Sequence, residues 1–469
     1  MIPPKPASRP RRVPFWRYVR LFRQDMLSSH PGHLYRARMA QFRAPFFRSV
    51  LINDPALIRT VLRDRPQDFP KSLRVAEGLR PLLGASVFLT NGPEWERQRR
   101  IIDPAFEGGR LRDSLGAIEA AARAAADRLR PGTVEIEAVT AHAAADVIFR
   151  TLFSVPIDDA DAAEVFAAFR AYQRAQPLLN LGAFLRLPSW VPRGHGRAAR
   201  DAAATIRRRV GAMTQARMDA IAAGTAPDDL ATRIMTTPDP ADGRTFGVDE
   251  MTDQVAIFFL AGHETSASAL AWALYLLACD PGAQERVRDE ARAALTAAGG
   301  AAGGAALPAL GFTRDVLRET LRLYPPVPMM VRETTRPETF RGRVLGAGTQ
   351  VVVSPWHLHR NDRHWPDPDA FRPDRWRDEG QRAAQRDAWL PFSAGRRVCP
   401  GAGFAMAEAT LILAHLLTRF RFAPVTGRVP EPVAFLTVRG RDGIWLDVEE
   451  IAPGGGTGPG PAAARAHAP

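Results

Sequence analysis

Apolar positions recur every three to four residues over most of this chain. Ala- and Leu-rich stretches with that spacing predict helices around 110–130, 137–153, 161–175, 198–223, 250–279, 282–296 and 312–324. Asp280-Pro281-Gly282 breaks the longest of them from the next. Strand patterns are scarcer: 49–53, 327–332 and 349–354, the last centred on Val351-Val352-Val353. No period of 20–50 residues repeats. The pattern predicts a mainly α protein with small β-sheets in one domain: a Pro/Arg-rich arm over 1–14, a body over 15–453 and a disordered Gly/Pro/Ala tail over 454–469.

The longest apolar stretch, 254–279, carries His263 and Glu264 in its middle, which predicts a buried helix and not a membrane span. The basic and aromatic segment 15–23 predicts a short helix packed on the body with its arginines outside, with contact to an anionic bilayer surface as the alternative. Composition changes the picture little: 469 residues, 46% hydrophobic and 24% charged, describe a soluble globular protein with room to bury a cofactor. Cys279 and Cys399, the only two cysteines, exclude a disulfide framework and a four-cysteine metal site, so a reducing cytoplasm is expected. A monomer is expected as well.

The net charge of +13 suggests nucleic acid at first sight, but of the 63 basic residues only Lys5 and Lys71 are lysines. The arginines are spread along the chain without a basic stripe or recognition module, so no nucleic-acid partner is expected. A basic surface does predict acidic protein partners.

Candidate chemistry concentrates at Phe392-Ser393-Ala394-Gly395-Arg396-Arg397-Val398-Cys399-Pro400-Gly401. A helix pattern follows from Ala402, with Pro400 suited to its first position. That puts Cys399 at a helix N-terminus, where free N–H groups and the dipole favour a thiolate. Gly395 and Gly401 would let something flat approach the backbone, and Arg397 offers a fork for carboxylates. A lone cysteine is usually a small buried hydrophobe, which suits Cys279 but leaves the offsets around Cys399 unexplained. A second constellation, Ala261-Gly262-His263-Glu264-Thr265, lies mid-way along the 250–279 helix. Gly262 weakens that helix by about 1 kcal/mol relative to Ala. The Thr265 hydroxyl can reach carbonyls one turn back, and an acid–alcohol pair there could carry protons.

The Cys399 segment resembles the haem-binding loop of the cytochrome P-450 family, Phe-x-x-Gly-x-Arg-x-Cys-x-Gly, at every specified position. The resemblance implies a cytochrome P-450 fold, haem b, and Cys399 as the proximal thiolate ligand, which favours O–O cleavage. It implies Gly262 as room for O2 at a helix kink, with Thr265 and Glu264 in a proton relay. Trp95-x-x-x-Arg99 matches the family's propionate-binding helix, and Arg332 and Arg397 are further propionate candidates by position. Glu319-x-x-Arg322 is uninformative alone, since the same spacing recurs at Glu77 and Glu94. Followed by Pro325-Pro326 and by 368–376, it resembles the family's structural triad of Glu319, Arg322 and Arg375.

These matches predict a monooxygenase that inserts one atom of O2 into a C–H bond of an apolar substrate, a fatty acid first, a terpenoid or steroid next. No flavin, iron–sulfur or nicotinamide segment is evident after Cys399. Electrons are therefore expected from a separate acidic ferredoxin or flavodoxin with its reductase, docking at Arg396 and Arg97. The alternatives are a haem sensor or carrier and a peroxide-driven enzyme. A zinc site at His357, His359 and His364 on a strand edge has no carboxylate or thiol to complete it.

Overall fold

The computed structural model describes residues 1–10, 13–44, 47–107, 109–175, 196–299 and 305–451. The expected tail lies outside them, as do 176–195 and 300–304. The architecture is mainly helical with small separate sheets, as the pattern predicts. Every helix named above from its periodicity is present within two residues at either end: Arg110–Arg128, Ile136–Phe153, Ala160–Ala175, Arg197–Ala222, Val248–Ala278, Pro281–Ala297 and Gly311–Leu323.

The central helix Val248–Ala278 has 31 residues, about 45 Å at 1.5 Å per residue. It packs against Ile136–Phe153, Arg197–Ala222, Gly311–Leu323 and Ala402–Arg419. Caps set the boundaries: Asp280 accepts from the Ala283 N–H at 3.0 Å, and Glu135 accepts from both Glu137 and Ala138 N–H. Asp280 also starts the next helix at Pro281, so the break falls where the sequence puts it.

One sheet runs Met39–Ala44, Phe47–Ile52, Gln350–Val353, Met330–Glu333; the middle pair is parallel, with Val50 opposite Val351, and the outer pairs are antiparallel. The strand expected over 327–332 begins only at Met330, because Pro326 and Pro328 have no N–H to give a ladder. A second sheet, Gly132–Glu135, Trp445–Glu450, Phe420–Pro424, has no counterpart in the sequence reading. Its strands are short and come from distant parts of the chain.

The Pro/Arg arm lies against the body: Tyr324 Oη donates to the Pro4 carbonyl at 2.7 Å, and Lys5 pairs with Asp369 at 2.6 Å. In the helix Phe15–Gln24, Arg17, Arg20 and Arg23 are exposed while Tyr18, Val19 and Phe22 turn towards the main cavity, the packed arrangement expected. No helix among the described residues is long and apolar enough to cross a membrane.

The Glu319 carboxylate receives Arg322 Nη2 and Nε, Arg375 Nε and the Arg372 N–H, each at 2.9 Å, all in the interior. Arg322 also ties down the carbonyls of His359 and Ala370. A ladder of rings, Trp365, Trp376, Trp389 and Phe392, at centroid distances of 5.9, 5.2 and 6.3 Å, runs from this knot to the Cys399 loop. The predicted triad is therefore present, and it braces that loop.

Candidate functional site

A cavity of about 790 Å³ lies between the central helix, the strand Met330–Glu333 and the Cys399 loop. Cys399, Phe392, Arg397, Gly401, Trp95, Arg99, Arg332, Gly262, Glu264 and Thr265 all line it. Residues up to 306 apart in sequence, from Trp95 to Gly401, thus meet in one space.

On the cysteine wall the helix starts at Ala402, with Gly401 as its N-cap, so Pro400 lies before the helix and not at its first position. Cys399 is held instead by its own N–H to the Phe392 carbonyl at 3.0 Å, after a tight turn over Gly395–Arg397. It is exposed, and the exposure is to the cavity, since the thiol is otherwise enclosed. Burial pushes its pKa up, while the Gly401 N–H and Arg99 pull it down. The helix terminus therefore acts on the sulfur from two residues further along than the sequence suggests.

Gly395 does not face the cavity. Its φ is +69°, and a Cβ there would come 2.0 Å from the Leu62 carbonyl oxygen, so the glycine serves a close backbone crossing. Gly262 lines the cavity, but a Cβ on it would meet Ile148 Cδ1 at 2.4 Å. Packing of Ile136–Phe153 on the central helix brings Ile148 against Gly262, so close helix approach is one reason for a glycine there. The central helix stays helical through this point, and Thr265 Oγ1 donates to the Ala261 carbonyl at 2.6 Å, one turn back as expected.

The other wall is a crowd of cations. Arg99 pairs with Asp103 at 2.5 Å and donates to the Val398 carbonyl at 2.9 Å. Lys71, Arg99, Arg396 and Arg397 surround the Trp95 ring at 5.3–5.9 Å. Among the described residues no carboxylate pairs with Lys71, Arg332 or Arg397, and Nε of both arginines has no partner. Burial, then Arg332, Arg397 and Arg99, drives the Lys71 pKa down to about 6; burial and Arg397 lower Arg332 to about 10. Buried like charges of this kind are costly unless an anion completes them. A flat group with a soft-ligand metal at Cys399 and carboxylates at the cations fits these residues, which is what a haem offers.

Sequence reasoning missed Lys71, Ser266, Glu408 and Thr437, which line the same cavity. The one signal for Lys71 is its rarity, as one of two lysines; the others sit in ordinary helix and hairpin sequence. The zinc reading fails: His357 is on the short helix Pro355–Leu358, not a strand edge. Its Nδ1 meets Ser354 Oγ at 2.8 Å, and His359 Nε2 accepts from the Leu390 N–H. No group of three metal-binding side chains gathers among the described residues. Both docking candidates are ion-paired: Arg97, largely covered, to Glu250 at 2.6 Å and the Thr245 carbonyl, and Arg396, half-exposed, to Glu96 at 3.2 Å.

The cytochrome P450 family model matches residues 10–441. A cyclooctat-9-en-7-ol 5-monooxygenase of Streptomyces melanosporofaciens is 34% identical over 409 residues, 86% of each chain. A cyclooctatin synthase of the same organism is 34% identical over 378 residues, 77% of this chain and 79% of the relative. A taurochenodeoxycholic 6 alpha-hydroxylase of Sus scrofa is 29% identical, covering 86% of this chain and 82% of the relative. With a cysteine-lined cavity braced by its buried triad and a match over nearly its whole length, the chain belongs to the cytochrome P450 family and is an oxidoreductase of the monooxygenase type.

Proposed function

We propose that the cavity holds haem b through Cys399, and that the enzyme uses O2 to hydroxylate a cyclic, terpenoid-type substrate. The observation that carries this is the shared cavity of Cys399, the unpaired cations and the Glu264–Thr265 wall. Haem b, held without covalent links to cysteine, is favoured because Cys279, the one other cysteine, does not line the cavity. Lys71, Arg99, Arg332 and Arg397 would receive the propionates beside Trp95, and Phe392 and Gly401 would pack under the ring.

Bound haem supplies thiolate-ligated iron for O2 activation. The residues of the chain supply the rest. The apolar lining, with Leu79, Ile148, Leu152, Ile257 and Phe258 among it, excludes bulk water and accepts an apolar substrate. Thr265 presents a hydroxyl and Glu264 a carboxylate from the central helix, and together they bring protons to the cavity. Two electrons, two protons and O2 then yield one hydroxylated product and one water.

A terpenoid-type substrate is favoured over the fatty acid first expected, because relatives at 34% identity are a cyclooctat-9-en-7-ol 5-monooxygenase and a cyclooctatin synthase. Electrons would come from an acidic ferredoxin or flavodoxin with its reductase, meeting the half-exposed Arg396 in a chain of net charge +13. Such a partner fits a cytoplasmic setting.

The test is the carbon-monoxide difference spectrum of the reduced protein beside Cys399→Ala, followed by titration with cyclic terpene alcohols and fatty acids. A strongly red-shifted Soret band lost in the variant, and a spin-state shift with the terpene alcohols, is the expected result. A short-wavelength band in the wild type would overturn the thiolate ligand, and a shift with fatty acids alone would overturn the substrate class.

A further inference from the structure

His263 sits in the middle of the central helix Val248–Ala278, buried and walled by the rings of Phe166, Phe169 and Phe259 at centroid distances of 6.1, 5.7 and 5.7 Å. Its Nδ1 lies 2.7 Å from the Phe259 carbonyl, one turn back. A carbonyl only accepts, so Nδ1 carries the ring proton. Burial pushes the His263 pKa down, which keeps the ring neutral and leaves Nε2 as an acceptor.

That acceptor meets Gln173, whose amide Nε2 lies 3.3 Å away. Gln173 follows Tyr172 near the end of the helix Ala160–Ala175, whose buried stripe is Ala162, Val165, Phe169 and Tyr172. The Phe169 ring stacks on Phe259 at 4.9 Å, which holds this helix in register against the central one. The His263 acceptor decides how the amide is turned: its NH2 points at the ring and its carbonyl Oε1 points away. Gln173 lines the cavity and His263 does not, so the face turned from the ring is the cavity face. Among the described residues Nε2 to His263 is the one hydrogen bond of this side chain, and Oε1 receives none. Thr151, which also lines the cavity, spends its hydroxyl on the Val147 carbonyl at 2.7 Å. A bare amide carbonyl in a largely apolar cavity is costly unless something donates to it. A contact that only fastened two helices would not need that spare acceptor.

We propose that Gln173 is a specificity residue whose Oε1 accepts a hydrogen bond from a hydroxyl already present on the substrate, with His263 as the positioning residue that turns its amide. The inference rests on the terpenoid reading of the cavity and narrows it: the enzyme takes a cyclic terpenoid alcohol in preference to the parent hydrocarbon. A hydrocarbon leaves Oε1 unpaired in the filled cavity, and that is the physical source of the discrimination. Anchoring one hydroxyl also fixes which part of an otherwise apolar skeleton is free to face Cys399, and so sets the position of oxidation.

The test uses the haem-loaded full chain, titrated with cyclic terpene alcohols each paired with its parent hydrocarbon, cedrol with cedrane among them, and followed by the spin-state shift. The wild type should bind the alcohol at least tenfold more tightly than the hydrocarbon. Gln173→Met keeps the length of the side chain without the amide and should bring the two affinities within about twofold, with the loss on the alcohol. His263→Phe keeps an aromatic ring among the phenylalanines but frees the amide, and should lower the preference by an intermediate amount. A merely structural role would instead weaken both ligands alike. In the reduced carbon-monoxide form without substrate, nitrogen-15 shifts should place a histidine proton on Nδ1 in a resonance that His263→Phe lacks. Equal affinities in the wild type, a preference that survives in Gln173→Met, or a His263 proton on Nε2 overturns the proposal. A wild type that shifts with neither alcohol nor hydrocarbon overturns the terpenoid reading and this proposal with it, whereas equal affinities leave that reading standing.

Discussion

Thr437 Oγ1 donates to Glu264 Oε1 at 2.7 Å, which ties a cavity-lining hairpin residue to the acid of the central helix. The other carboxylate oxygen, Oε2, is buried without a partner among the described residues. The same hairpin is fastened to the central helix twice more, where Ser268 Oγ and Trp272 Nε1 donate to the Val438 carbonyl at 2.5 and 3.3 Å. Glu264 is thus aimed by a part of the chain that a substrate would touch.

Thr437→Val removes the donor while keeping the shape, and leaves a buried carboxylate oxygen unsatisfied, a cost of about 1–3 kcal/mol. The expected outcome is a protein that loads haem normally but loses product per O2 consumed, by about two- to tenfold. Oxygen and product quantified in one assay check it; unchanged coupling would separate Thr437 from the relay.

Lys71 is half-buried among arginines with no carboxylate beside it among the described residues, and its pKa falls to about 6. Lys71→Met should therefore stabilise the haem-free chain, by about 1 kcal/mol or more, and weaken haem retention in the loaded one. Urea midpoints of the haem-free protein and the rate of haem transfer to an acceptor measure the two effects. Both moving in the same direction would contradict the anion-cradle reading.

Glu319 faces Arg322 and Arg375 with no solvent access. Glu319→Ala leaves two buried guanidinium groups uncompensated, so a loss of about 3–5 kcal/mol is expected. Because the knot is continuous with the ring ladder ending at Phe392, haem loading should fall with stability. Denaturant unfolding and haem content of the purified variant report both.

Burial, then Arg322, holds the His359 pKa at about 3 in the fold against the usual 6.5. Above pH 6.5 the imidazole is neutral in both states and contributes no pH dependence. Below it the unfolded chain takes up a proton that the fold refuses, so stability falls by about 1.4 kcal/mol per pH unit down to pH 3. His359→Gln keeps an acceptor for the Leu390 N–H and should flatten that slope. Unfolding free energies between pH 4 and 7 decide it.

The sequence by itself determined the helices, since a 3.6-residue period with Asp and Gly punctuation is a local signal, and it singled out the segment around Cys399, whose motif residues lie within ten positions. It also led to Glu319, Arg322 and Arg375, through short motifs in order. What tertiary structure alone decided is everything set by approach between distant segments. The sheet of 132–135, 420–424 and 445–450 forms because partners some 300 residues apart meet, which no local period records. Gly262 and Gly395 sit where Ile148 and the Leu62 carbonyl come within contact of them, an approach that no local pattern records. Lys71, Glu408 and Thr437 gain their character from burial and neighbours, and desolvation is a property of the packed interior. The same residues in an extended chain would be an ordinary lysine, an ordinary glutamate and an ordinary threonine.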